Sequence, residues 1–148
     1  RKITRAAARI KLGKQSSLTL GDINVSRDWS YAGDIVESMW LMLQTNQPKD
    51  YVVGSGLLHT VKELLEIAFN EVDLNWRDYV EIDASLIRNV EYKAPCANSN
   101  KIYKELGWKA KVEFGDLIRS MVLNDISNVR TNYLNKMKHK MEMKLFIF

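Results

Sequence analysis

Arg27-Asp28-Trp29-Ser30-Tyr31-Ala32-Gly33-Asp34-Ile35-Val36-Glu37-Ser38-Met39-Trp40-Leu41-Met42-Leu43-Gln44 is the stretch on which the fold turns. Ile35, Met39 and Leu43, joined by Val36 and Trp40, recur at helical spacing and predict a helix over 32–44 with one broad apolar face. Asp34 falls in its first turn, where a carboxylate suits the helix dipole. Pro48 closes the connection to Tyr51-Val52-Val53, a β-branched run of buried-strand type that ends at Gly54-Ser55-Gly56. Thr60 then stands as an N-cap with Glu63 at the capping-box position, and a helix follows to about Asn70 through Val61, Leu64, Leu65 and Ala68.

The same alternation extends in both directions. Upstream, Ile3, Ala6, Ala7 and Ile10 predict a helix over 2–12 ended by Gly13, and Leu18-Thr19-Leu20 predicts a short strand with a turn at Gly21-Asp22. Downstream, 79–83 reads as a short strand, Ser99 to Leu106 as a helix closed by Gly107, and Phe114 to Ile126 as a last body helix on Leu117, Ile118, Met121 and Val122. Strands alternating with helices predict an α/β layer arrangement. Two units are expected: a body over 1–126, and a basic, Met-rich tail over 127–148. In the tail Leu134, Met137, Met141, Leu145 and Phe148 lie three or four residues apart. The tail reads as a terminal extension that packs on its own body or frays, in preference to a membrane-surface helix.

The 148 residues suffice for one domain with a real core, and 46% apolar with 27% charged residues excludes wholesale disorder. The net charge of +4 hides a division: residues 1–14 carry +6, residues 127–148 carry +4, and the middle carries −6. That distribution gives no basic face for nucleic acid. No apolar run is long enough to cross a bilayer. A single cysteine, Cys96, cannot form an internal disulfide, and a cytoplasmic chain is the expectation. The sequence opens on Arg1-Lys2, which predicts a processed chain or a piece of something longer.

The motifs of catalysis are conspicuously thin. Gly54-Ser55-Gly56 supplies only part of a dinucleotide loop, with no third glycine in place, and reads as a strand-end turn. Short-chain dehydrogenases use a tyrosine followed four residues later by a lysine. Beyond Tyr31, Tyr51, Tyr79, Tyr92, Tyr103 and Tyr133 stand Ile35, Ser55, Asp83, Cys96, Gly107 and Met137 instead. His59 and His139 lie far apart in no metal-ligand cluster, and Cys96 lacks a nucleophile's context. Two positioning candidates remain. Arg27 suits either a bidentate phosphate contact or a pair with Asp28 that staples its loop. Arg88 and Glu91 suit a diphosphate and ribose hydroxyls, although spacing alone favours a surface ion pair.

The ordered set of Lys2 in Arg1-Lys2-Ile3-Thr4-Arg5-Ala6, Leu20-Gly21, Arg27-Asp28-Trp29, Tyr31 through Gln44, Asp50 through Gly56 with His59-Thr60-Val61, Leu74 through Val80, and Glu105-Leu106-Gly107-Trp108-Lys109 resembles the GDP-mannose 4,6-dehydratase family. The likeness runs from residue 1 to about 126. It implies the C-terminal, nucleotide-sugar-binding part of an extended short-chain dehydrogenase. The NADP-binding Rossmann domain, with its glycine-rich loop and Thr/Glu/Tyr/Lys catalytic set, would lie outside this chain. It implies a parent that takes GDP-mannose to GDP-4-keto-6-deoxymannose by internal hydride transfer through NADP and loss of water, on the route to GDP-fucose or related deoxyhexoses, as a homo-oligomer. The chain alone would be inactive.

The resemblance also implies substrate-binding positions. Lys2 matches a lysine near the GDP, Gly21 a backbone contact, Arg27 the diphosphate-binding arginine, and Arg88 and Glu91 the arginine and glutamate of an Arg-Pro-x-Glu motif. No catalytic residue is implied within the chain. Asn89 replaces that motif's proline, Asp22 stands where one branch has asparagine, and Cys96 through Lys101 departs from the family's Gly-Asp-x-Ser-Lys-Ala stretch. A GDP-4-keto-6-deoxymannose reductase portion, or a non-catalytic GDP-sugar-binding fragment, are the alternatives. If the chain is a severed half, it should expose the apolar surface that meets the rest of its parent.

Overall fold

The computed structural model describes residues 1–87 and 94–145, with side chains in the last helix through residue 135. Helix α1 (Lys2–Lys11) is followed by strands β1 (Leu18–Leu20) and β2 (Ser26–Asp28), helix α2 (Ala32–Leu43), strand β3 (Leu58–Thr60), helix α3 (Val61–Asn70), strand β4 (Val80–Ile82) and helices α4 (Asn100–Leu106) and α5 (Phe114–Leu145). Short 3-10 turns flank β4 at Trp76–Asp78 and Ala84–Leu86.

The core is a three-helix packing of α1, α3 and α5. Ile3, Ala6, Ala7 and Ile10 of α1 meet Leu64, Leu65, Ala68 and Phe69 of α3 and Leu117, Ile118 and Val122 of α5. The alanines let α1 come close to its neighbours, and 3.6-residue periodicity puts these side chains on one stripe of each helix. The ends of the body are locked together by a polar contact. Asp125, itself buried, accepts from the Arg1 guanidinium (2.8 Å) and from the Thr4 hydroxyl (2.9 Å). Gly13 and Gly107 end α1 and α4 as expected, both at positive φ (63° and 71°). The capping box at Thr60 and Glu63 forms in both directions.

The strands form two small ladders. β1 pairs in parallel with β4, Leu18 opposite Val80 and Leu20 opposite Ile82. β2 pairs antiparallel with β3, Arg27 opposite His59 and Asp28 opposite Leu58. β1 and β4 match the sequence reading; β2 and β3 carry no alternating pattern and were not legible.

Two expectations need correction. Tyr51-Val52-Val53 forms no ladder and runs as irregular chain, with Val52 exposed. The last helix does not stop at Ile126 but runs to Leu145, because nothing from Ser127 onward is glycine or proline. The helix read over 32–44 forms, and its apolar face points outward. Its buried residues are Asp34 (5% exposed) and Ser38, whereas Trp40 is 60% and Leu43 81% exposed, with Val36 and Met39 alongside. Asp34 and Ser38 face inward, and Glu37 lies at the edge of the same polar stripe, partly exposed. Asp34 Oδ2 accepts from the backbone N–H groups of Lys111 (2.9 Å) and Val112 (3.0 Å), and Lys111 Nζ bonds Glu37 (2.6 Å). Asp34 turns inward to satisfy two half-buried backbone donors that its carboxylate alone reaches among the described residues.

Candidate nucleotide-binding region

The positions singled out in the sequence divide between the two ladders. At the carboxyl ends of the parallel pair, where ligands of parallel sheets gather, Lys2 reaches from α1 to donate through Nζ to the carbonyl of Thr19 (2.7 Å). Gly21 follows β1 and packs against the turn after β4. A Cβ on Gly21 would lie 2.8 Å from the carbonyl oxygen of Leu86, so only glycine fits between these two backbones. The Asp83 N–H donates to Leu20 O (2.8 Å) and fixes the same junction. Asp22 accepts from the Asn24 N–H (2.8 Å) and so closes a local turn.

Arg27 lies on the other ladder, in the middle of β2. Its side chain is exposed and donates to the carbonyl of Ser26 (2.7 Å). Among the described residues no carboxylate pairs with it. The Arg27–Asp28 staple therefore does not form. Arg88 and Glu91 lie outside the described residues.

Asp28, on the opposite side of β2, is the organising residue that sequence reading missed. Its Oδ1 accepts from the Ser55 N–H (3.0 Å) and hydroxyl (2.6 Å), and its Oδ2 from the N–H groups of Gly56 (2.9 Å) and Ala97 (3.1 Å). Burial pushes this carboxyl upward, but the Ser55 hydroxyl and the backbone donors of Ala97, Gly56 and Ser55 together outweigh it and hold the pKa below its ordinary 3.8. Ser99 stitches the same turn from the other side, its hydroxyl accepting from Gly54 N–H (3.1 Å) and donating to Gly54 O (2.9 Å). An open cleft of about 430 Å³ adjoins this junction, lined by Asp28, Ile35, Val53, Gly54 and Cys96 among others.

These bonds decide what the Gly54-Ser55-Gly56 turn can hold. A pyrophosphate cradle needs free backbone N–H groups. Here the N–H groups of 54, 55 and 56 are all occupied, two of them by a carboxylate that would repel an anion. The turn does not fit a dinucleotide. His59, the other candidate for chemistry, stacks on Phe114 (centroids 4.0 Å apart, planes 5°) with Nδ1 against Glu63 (3.0 Å), which is a packing role.

A family profile described as GDP-mannose 4,6 dehydratase matches residues 1–121. The chain belongs to that family. It is 52% identical over 126 residues to GDP-mannose 4,6 dehydratase 1 of Arabidopsis thaliana, an alignment spanning 85% of this chain and 35% of the relative. The human GDP-mannose 4,6 dehydratase is 36% identical, with 89% of this chain and 40% of the relative aligned. The chain thus spans little more than a third of the length of its curated relatives. Among solved structures, RMD from Pseudomonas aeruginosa complexed with NADPH superposes with a TM-score of 0.76 at 24% identity, over 85% of this chain and 41% of that one. A dTDP-glucose 4,6-dehydratase from Bacillus anthracis in complex with NAD gives 0.67 at 20% identity, over 83% and 38%. Those likenesses establish the fold: a mixed α/β arrangement shared with about two-fifths of each of those chains. Among the described residues no helix is long and apolar enough to cross a membrane.

Proposed function

We propose that this chain is the C-terminal, substrate-binding part of a GDP-mannose 4,6-dehydratase, a lyase that converts GDP-mannose to GDP-4-keto-6-deoxymannose. Its parent is read as a cytoplasmic homo-oligomer. The observation that carries the reading is the outward apolar face of helix α2. An apolar stripe of Val36, Met39, Trp40 and Leu43 left to water is a surface built to be covered, in a chain spanning 35% of a relative's length. The remaining portion of such a parent is the natural cover. NADP is assigned to that portion, because the glycine turn of this chain has no N–H groups left for a pyrophosphate.

The work left to this chain is recognition. Arg27 offers an exposed guanidinium with no carboxylate partner among the described residues, suited to a diphosphate. Lys2 and Gly21 frame the end of the parallel pair, and Arg88 with Glu91 are proposed to complete the nucleotide contacts. Titration of GDP, with UDP as comparison, into the purified chain tests the binding reading. Incubation with GDP-mannose and NADP tests catalysis. GDP binding without turnover is expected. Formation of 4-keto product by the chain alone would overturn the assignment of catalysis to the rest of the parent, and absence of any GDP binding would overturn the binding role.

A further inference from the structure

We propose that Asp28 is a positioning residue that makes Arg27 available to an anion, by committing its own carboxylate to the 54–56 turn and to Ala97. The inference rests on the reading of Arg27 as a diphosphate contact.

Arg27 and Asp28 are successive residues of one strand, so their side chains leave opposite faces of it. Two opposite charges side by side on an exposed segment would ordinarily pair or cancel one another's field. Here they do not pair. Asp28 receives four donors, two at each oxygen, and none of them is Arg27. The negative charge is held inward, and among the described residues the guanidinium on the other face makes a single carbonyl bond.

The same four bonds hold β2 in place. The strand is three residues long and paired on one side, with Asp28 opposite Leu58 at the end of the ladder. So short a ladder fixes a side chain poorly by itself. Asp28 bridges from this end to Ser55 and Gly56, just before β3, and to Ala97, far along the chain. Gly54 is what permits the approach: a Cβ there would lie 2.4 Å from the Ala97 Cβ and 3.1 Å from Asp28 Oδ2. Three chain segments therefore meet at one carboxylate directly behind Arg27.

An asparagine at 28 keeps one accepting oxygen and turns an NH2 toward two N–H donors, so it loses half of the clip. The test is calorimetric titration of GDP into the full 148-residue chain, carried out well below the melting temperature of each variant. Asp28→Asn should weaken GDP binding about tenfold and Ser55→Ala about threefold, the scale of one to two hydrogen bonds. In the Arg27→Ala background, Asp28→Asn should have almost no further effect, because it acts through the arginine. Asp125→Asn, which breaks a buried contact elsewhere, should lower the melting temperature and leave GDP affinity unchanged. Equal affinity in Asp28→Asn and the unchanged chain overturns the inference and leaves the GDP-binding reading standing. Undiminished additivity with Arg27→Ala overturns it likewise. Should Asp28→Asn fail to fold, Ser55→Ala decides, and unchanged affinity there sinks the proposal. No GDP binding by the unchanged chain overturns both readings together.

Discussion

Trp108 donates from its indole N–H to the backbone carbonyl of Asp34 at 2.9 Å, and this buried bond fixes which side of α2 faces the interior. The Asp34 carboxylate adds two more bonds to the backbone of Lys111 and Val112. Asp34→Ala should therefore cost about 1–3 kcal/mol in a urea titration, since it leaves two half-buried backbone donors without their acceptor. A loss within 0.5 kcal/mol, roughly that of an ordinary surface change, would show that the polar stripe is not what anchors the helix.

The outward stripe of α2 predicts self-association when the chain is alone. Sedimentation velocity should find concentration-dependent oligomers. Met39→Lys with Trp40→Glu should convert them to monomers while changing folding stability by less than about 1 kcal/mol, because both side chains are more than half exposed. A strictly monomeric unchanged chain at high concentration would contradict the claim that this face needs cover.

Gly21→Ala forces a methyl to within 2.8 Å of a backbone oxygen that cannot rotate away. A cost of about 1–3 kcal/mol is expected, seen as a lowered melting temperature, with the turn after β4 displaced from β1. Gly115→Ala is the comparison, since there the nearest atoms belong to the flexible end of Arg119. Equal effects at the two sites would argue against the close approach at Leu86.

Arg27→Ala should weaken GDP binding by about 1.5–3 kcal/mol, the scale of a charged hydrogen bond. Arg88→Ala should do the same. Calorimetry showing unchanged affinity in both variants would remove the diphosphate assignment.

Acid should loosen the molecule through depressed carboxylates. Asp28 and Asp83 sit below their ordinary 3.8, and Glu105 below 4.5. Lys49 and then Tyr51 hydrogen bonds lower Glu105, and the Ser85 hydroxyl lowers Asp83. Above the unfolded values each group is ionised in both states, and its contribution is fully present. As pH falls through the folded values, protonation removes it. Melting temperature should thus drop below about pH 4, and drop less steeply in Asp28→Asn. Parallel acid profiles for the two proteins would show that the four-donor clip is energetically silent.

Local signals were the legible ones. The capping box at Thr60–Glu63, the glycine ends of α1 and α4, and the strands 18–20 and 80–82 depend on neighbours a few residues away, and sequence spacing reports those. The helix at 32–44 and its apolar face were legible, but spacing alone does not say which way that face points. Tyr51-Val52-Val53 has strand chemistry but finds no partner strand here, and a strand exists only by pairing. Asp28 was invisible for a different cause. Its partners Ser55, Gly56 and Ala97 lie 27, 28 and 69 residues away, and no local pattern announces such a contact. Arg27 was singled out for either a phosphate contact or a pair with Asp28; the structure removes the pair by giving Asp28 other partners, and the phosphate contact remains the proposal.

The lock between Thr4 and Asp125 also governs when this molecule can come into being. Helix α1 is translated before α5, yet part of its apolar stripe waits for α5, and β1 waits for β4, some sixty positions later. During synthesis α1 can meet α3 early, but the face it turns to α5 and the Thr4 hydroxyl stay uncovered until residue 125 has left the ribosome. A nascent chain arrested before that point should be sensitive to protease and dependent on chaperones, and release of the last helix should make the body protected in one step.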